Sequence, residues 1–132
     1  MKPRATLDEE ALGLLVERFY AHVRCDDLIG TLFNEAVHDW PAHTSRLTAF
    51  WSSVMLSSGN YKGQPVAAHL RHRGEITPPM FDRWLSIWRK VTAELFAAEI
   101  AGALQAKADR IAESLRVALF FRLDQHSPDR AL

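Results

Sequence analysis

The run Tyr61-Lys62-Gly63-Gln64-Pro65-Val66-Ala67-Ala68-His69-Leu70 sets a histidine on a short turn behind a Gly/Asn-rich loop. An imidazole presented this way can act as a single axial ligand to iron. Two other places carry donors of a different kind. Phe19-Tyr20 near the start offers a phenol, and Phe81-Asp82-Arg83-Trp84-Leu85 near the middle offers an indole. A phenol hydroxyl and an indole N–H both require a hydrogen-bond partner when buried, and a ligand on an iron opposite the histidine would provide one. The three features together suggest a haem pocket. His72, three residues after His69, competes for the same ligand role from the more polar stretch Arg71-His72-Arg73.

These groups have to be positioned by helices, because apolar residues recur at three-and-four spacing nearly everywhere and no internal repeat or linker interrupts them. The chain is expected to be one all-α domain over residues 1–132. Thr6-Leu7-Asp8-Glu9 has the pattern of a capping box and opens a helix whose buried face is Leu12, Leu15, Val16, Phe19, Tyr20 and Val23, so Tyr20 points inward. After a break at Cys25-Asp26-Asp27, a short segment from Leu28 to Val37 carries Leu32 and Phe33 and forms a corner. Asp39 can cap a third helix with Pro41 in its first turn and an apolar face through His43, Leu47, Phe50, Trp51, Val54 and Met55. Pro65 begins the turn that holds His69, and residues 73–77 form a loop. Thr77-Pro78-Pro79 starts a long helix burying Phe81, Trp84, Leu85, Trp88, Val91 and Leu95. A last helix runs from about Ile100 to Leu123 and contributes Leu104, Ile111, Leu115, Ala118 and Leu119, and the tail from Gln125 to Leu132 frays.

Composition narrows the function classes. The chain has 132 residues, 48% of them hydrophobic and 24% charged, which is enough to bury one core. Sixteen basic and sixteen acidic side chains balance, which gives no electrostatic case for nucleic acid or an anionic membrane. Charges interrupt every apolar stretch short of the roughly 20 residues of a membrane span. A single cysteine, Cys25, allows no internal disulfide, and Met1-Lys2-Pro3-Arg4-Ala5 runs into Asp8-Glu9-Glu10 instead of a signal segment. A cytoplasmic protein is expected.

In order and spacing the motifs resemble those of the truncated haemoglobins, and in detail the group III branch. The resemblance rests on Phe19-Tyr20, Leu32-Phe33-Asn34, the helix from Trp40 through His43 to Phe50-Trp51, Tyr61-x-Gly63-x-Pro65-x-x-x-His69-Leu70, and Phe81-x-x-Trp84-Leu85, and so spans nearly the whole chain. It implies a shortened globin fold, a two-over-two helical sandwich around haem b. It implies His69, not His72, as the proximal iron ligand, and Tyr20 and Trp84 as distal donors to a bound ligand. His43 matches the distal-helix position where many globins carry a histidine, and Arg46 the place of a basic residue against a haem propionate. Phe33 matches the aromatic wedged on the porphyrin, and Phe50 and Phe81 are expected among its apolar walls. The doubled Gly-Gly signals of other truncated haemoglobin groups are absent, a further pointer to group III.

The implied function is binding of dioxygen, nitric oxide or other small ligands at an open distal iron site. Two strong donors tilt the expectation toward redox chemistry on oxygen, nitric oxide or peroxide, of a peroxidase-like or nitric oxide detoxifying kind, with an external reductant. The rival is a small cofactor-free helical interaction protein in which the aromatics are only core. A non-haem di-iron bundle is a weak third reading, because it needs two Glu-x-x-His motifs and the chain has only Glu35-Ala36-Val37-His38.

Overall fold

The structure is a computed structural model that describes residues 3–61, residue 69 and residues 74–121. Its long elements are α-helices: α1 Glu9–Arg24, α2 Gly30–Ala36, α3 Trp40–Leu56, α4 Pro78–Leu95 and α5 Ala98–Arg116, followed by a π-turn at Val117–Phe121. The expected last helix therefore starts two residues early and loses α geometry at Val117; its continuation to Leu123, and the tail, lie outside the described residues.

Each helix begins where its local chemistry dictates, with one departure from expectation. Asp8, not Thr6, caps α1: its carboxylate accepts from Ala11 N–H at 2.8 Å. Asp8 sits directly before the first buried residues, Ala11 and Leu12, and Glu9 is engaged elsewhere, accepting on Oε1 from Ser52 Oγ and Asn60 Nδ2, both at 2.8 Å. The reciprocal capping box is thereby replaced by a single cap. Asp39 caps α3 as expected, accepting from Ala42 N–H at 3.1 Å. Thr77 stands at the N-cap of α4 with no side-chain cap bond. Pro78 and Pro79 have no N–H to satisfy, and the next donor, Met80 N–H, already reaches Thr77 O at 3.0 Å.

Helices α1 and α3 form one packed pair and α4 and α5 another, joined through α1 against α4. The α1 face reads out as spaced: Leu12, Leu15, Val16, Phe19, Tyr20 and Val23 are all buried. They meet Trp51 of α3 and Trp88, Val91 and Leu95 of α4, with Leu104 and Ala108 of α5 behind. The turn between α4 and α5 is stitched to the N-terminal segment by Arg4 N–H to Leu95 O at 2.7 Å and Ala97 N–H to Arg4 O at 2.8 Å.

The corner that carries Phe33 is fixed from three sides. Asp26 Oδ2 accepts the N–H groups of Leu28 and Ile29, its Oδ1 receives Arg83 of α4 at 2.8 Å, and Asn34 donates to Arg24 O. Burial works to raise the Asp26 pKa, but the Ile29 amide, the Arg83 guanidinium and the Leu28 amide outweigh it and hold the carboxyl below its ordinary value. Gly30 opens α2 where it touches the end of α1; a Cβ there would lie 2.9 Å from Arg24 O and 3.1 Å from Val23 O. Both obstacles are backbone, so Gly30→Ala is expected to push α2 outward and cost about 1–3 kcal/mol, read as a lowered urea midpoint with an unchanged m-value. An unaltered midpoint would show that the corner yields freely.

Candidate distal and proximal site

Tyr20 is the hub of the site. Buried on α1, it meets Phe33 of α2 at 5.8 Å between ring centroids, Trp40 of α3 at 5.6 Å and His43 of α3 at 5.2 Å, the last edge-on at 84°. Trp84 of α4, half-buried, lies close enough to the Tyr20 hydroxyl for its indole N–H to act on that group. Burial raises the Tyr20 pKa above its ordinary value, with the Trp84 bond opposing it, so the phenol keeps its proton. The protonated Tyr20 hydroxyl can donate, and the Trp84 indole, a second donor, stands beside it.

His43 faces the same group, edge-on to Trp40 at 5.5 Å. Its Nε2 is buried without a hydrogen-bond partner among the described residues. Such an atom costs about 1–3 kcal/mol where it stays unsatisfied, and it is common at sites built to meet a ligand. Burial, then the charges of Arg46 and His69, push the His43 pKa down to about 4 from 6.5. The imidazole is therefore neutral near pH 7. The unfolded ring takes up its proton as pH falls through 6.5, while the folded ring resists until about 4, so stability is lost across that window. Allowing for screening of a partly exposed ring, about 1–3 kcal/mol of the haem-free chain's stability should vanish there. His43→Gln should flatten that part of the pH dependence of the urea midpoint, and parallel curves for the two proteins would contradict the assignment.

His69 is helical and half-buried, and its charge is felt at His43. The two histidines, one from α3 and one from beyond it, are thus brought together. The approach to His69 is anchored at the end of α3: Ser52, buried, donates to Glu9 at 2.8 Å, Ser58 and Ser52 share a bond of 2.7 Å, and Tyr61 N–H reaches Ser53 Oγ at 2.8 Å. Pro65 and the rest of residues 62–68, together with His72, lie outside the described residues.

The remaining expected contacts spread around this centre. Arg46 is exposed on α3, close enough to His43 to act on its charge. Phe50 is half-buried, edge-on to Trp51 at 5.6 Å and to Tyr61 at 5.3 Å. Phe81 belongs to a second cluster with Ala112, Leu115 and Leu119, and Arg116 lies over its ring. Trp40 is the residue that sequence reasoning passed over as a mere helix start. Covered by the Arg24 guanidinium at 4.6 Å, it closes the side of the Tyr20–His43 group. Its place one turn before His43 was the available signal. Glu35 and His38, the only Glu-x-x-His motif, are both exposed. Among the described residues no cluster of three or more His, Cys, Asp or Glu is placed to hold a metal ion, and no helix is long and apolar enough to cross a membrane.

No protein-family model matches the chain. The group 3 truncated hemoglobin ctb of Campylobacter jejuni is 33% identical over 93 residues, 67% of this chain and 69% of that protein. The chain belongs to the group III truncated haemoglobins. The crystal structure of a group III truncated hemoglobin from Campylobacter jejuni superposes with a TM-score of 0.81 at 27% identity, covering 90% of this chain and 96% of that one. The fold is accordingly the shortened globin fold, with the α1/α3 and α4/α5 pairs as its two layers. Membership makes this a globin-type haem protein that binds small gaseous ligands. The truncated haemoglobin's donor set suits that cofactor: an imidazole with a buried nitrogen that has no partner among the described residues, acted on by His69, stands edge-on to a neutral phenol.

Proposed function

We propose that His69 is the proximal ligand of a haem b whose distal side is formed by Tyr20, Trp84 and His43, with Phe33, Arg46, Phe50 and Phe81 around the porphyrin. The observation that carries this reading is the buried Nε2 of His43, without a partner among the described residues, between the Tyr20 ring and the reach of His69, with the Trp84 indole near the Tyr20 hydroxyl. Haem, when bound, supplies the redox-active iron and the site for diatomic ligands. Tyr20 Oη holds a proton that it can direct at a negatively polarised ligand, and Trp84 strengthens that donation. Phe19, Phe33 and Trp40 exclude water from the Tyr20 hydroxyl, which makes each polar contact there count for more.

Two neighbouring donors fit polarisation of an O–O or N–O bond better than rapid release. Redox turnover of oxygen, nitric oxide or peroxide with an external reductant, in a single-domain cytoplasmic protein, is therefore the favoured activity. Purified protein should show a Soret band or acquire one with haemin, and should turn over peroxide or nitric oxide when a reductant is supplied. A protein that gains no band on mixing with haemin would leave the cofactor-free interaction protein as the better reading; a band without turnover would leave ligand binding alone.

A further inference from the structure

Behind the distal pair, the core holds three of the chain's four tryptophans face to face. Trp84 and Trp88 are parallel within 2° at a centroid separation of 5.9 Å, and Trp88 and Trp51 are stacked at 4.4 Å and 21°. Phe19 braces the first two edge-on, at 5.4 and 5.0 Å. Trp88 and Trp51 are almost fully buried, whereas Trp84 is half-buried and lies within reach of the Tyr20 hydroxyl. Hydrophobic packing alone does not require this geometry, since aromatic pairs satisfy their quadrupoles as readily edge to face. The three indoles run from α4 across to α3 in one row of short ring-to-ring steps, 5.9 and 4.4 Å between centroids, with Trp84 at the end nearest Tyr20.

We infer that Trp84, Trp88 and Trp51 form an internal electron path that carries an oxidising equivalent away from the distal site into the core. The inference rests on the haem reading above. A hydroperoxide reduced at the haem takes up two electrons and two protons and leaves as an alcohol and water. Haem, when bound, would supply one of these electrons, and Trp84, the indole beside the Tyr20 hydroxyl, would supply the other. Trp84 gives up that electron and is refilled from Trp88, which is refilled from Trp51, so that no atom moves. The positive charge comes to rest on the tightly stacked Trp88/Trp51 pair, where each indole faces a neighbouring π cloud that stabilises a cation. Trp88 keeps its N–H proton, because the bond it makes at 3.1 Å is to a peptide carbonyl, Leu104 O, which is no base. Two equivalents of a one-electron donor, of the phenol or ascorbate class, later return one electron to the stack and one to the haem. The path thus holds the second equivalent off Tyr20 and His43.

The test injects a hole without relying on haem. The chain's single cysteine, Cys25, is exposed in a cleft shared with Ile87, on the helix that bears Trp84 and Trp88, and can carry a ruthenium polypyridyl photo-oxidant. The labelled protein, as purified, is flashed with a sacrificial electron acceptor and freeze-trapped for EPR. The expected radical narrows on ring-deuteration of tryptophan, not of tyrosine, and shows smaller proton couplings than a lone indole radical because two rings share the spin. Trp88→Phe and Trp51→Phe should each abolish the shared-spin signal; the deuterated wild type serves where a variant fails to fold. The haem-loaded protein treated with hydrogen peroxide should give the same radical. A tyrosine radical, a spin confined to one indole, or no radical after photo-oxidation would overturn the path. A Soret band with no tryptophan radical after peroxide would also overturn it, whereas absence of the band would count against the haem reading and leave the photo-oxidation result to decide the stack.

Discussion

His69→Ala is expected to abolish the Soret band of the haem-loaded protein, or to shift it to that of weakly held haem, while His72→Ala leaves it in place. The iron of a globin site is held by one imidazole, and losing it removes the only protein bond to the metal on that side. Imidazole added to His69→Ala should restore much of the band, because the small ligand re-enters the space vacated by the side chain. This rescue separates loss of ligation from loss of fold, which circular dichroism checks independently. Retention of a native spectrum in His69→Ala, with loss in His72→Ala, would transfer the proximal role to His72.

The second large effect concerns ligand release. Tyr20→Phe removes a proton-bearing hydroxyl and leaves a ring of nearly the same shape against Phe33, Trp40 and His43. A hydrogen bond to a negatively polarised oxygen contributes about 1.5–3 kcal/mol, so dioxygen release should accelerate roughly ten- to hundred-fold at about 1.4 kcal/mol per decade. Trp84→Phe should also accelerate release, by less, if its N–H keeps acting through Tyr20. The double variant should then be little faster than Tyr20→Phe alone, since residues in one network are not additive. Stopped-flow displacement of dioxygen by carbon monoxide measures all three. Unchanged rates in both single variants would mean that the donors point elsewhere, and strict additivity would mean that each reaches the ligand on its own.

Comparison of particular elements shows where reading the sequence succeeded. The inward face of α1 was legible because three-and-four spacing reports burial directly in a helix packed on one side, and all six of its residues are buried. Asp39 and the Pro78-Pro79 start were legible because caps are local chemistry. The cap of α1 was misplaced at Thr6 because the carboxylate of Glu9 is claimed by Ser52 and Asn60, residues forty or more positions away, and no local pattern reveals such a partner. The same holds for Asp26, which looked like a plain break and is the tie between the α1–α2 corner and Arg83.

By itself the sequence determined the helical class, the family, and the residue types available to a haem: one set of imidazoles, a phenol and an indole at recognisable spacings. Those are properties of side chains and of short-range periodicity, which survive without knowledge of what packs against what. Only the tertiary structure decided that Trp84 stands beside the Tyr20 hydroxyl, that His43 Nε2 is buried with no partner among the described residues, and that Trp84, Trp88 and Trp51 lie in one row. Each of these depends on the rotation of one helix against another, where a shift of one residue turns a side chain by about 100° and exchanges a hydrogen-bond partner for a core contact.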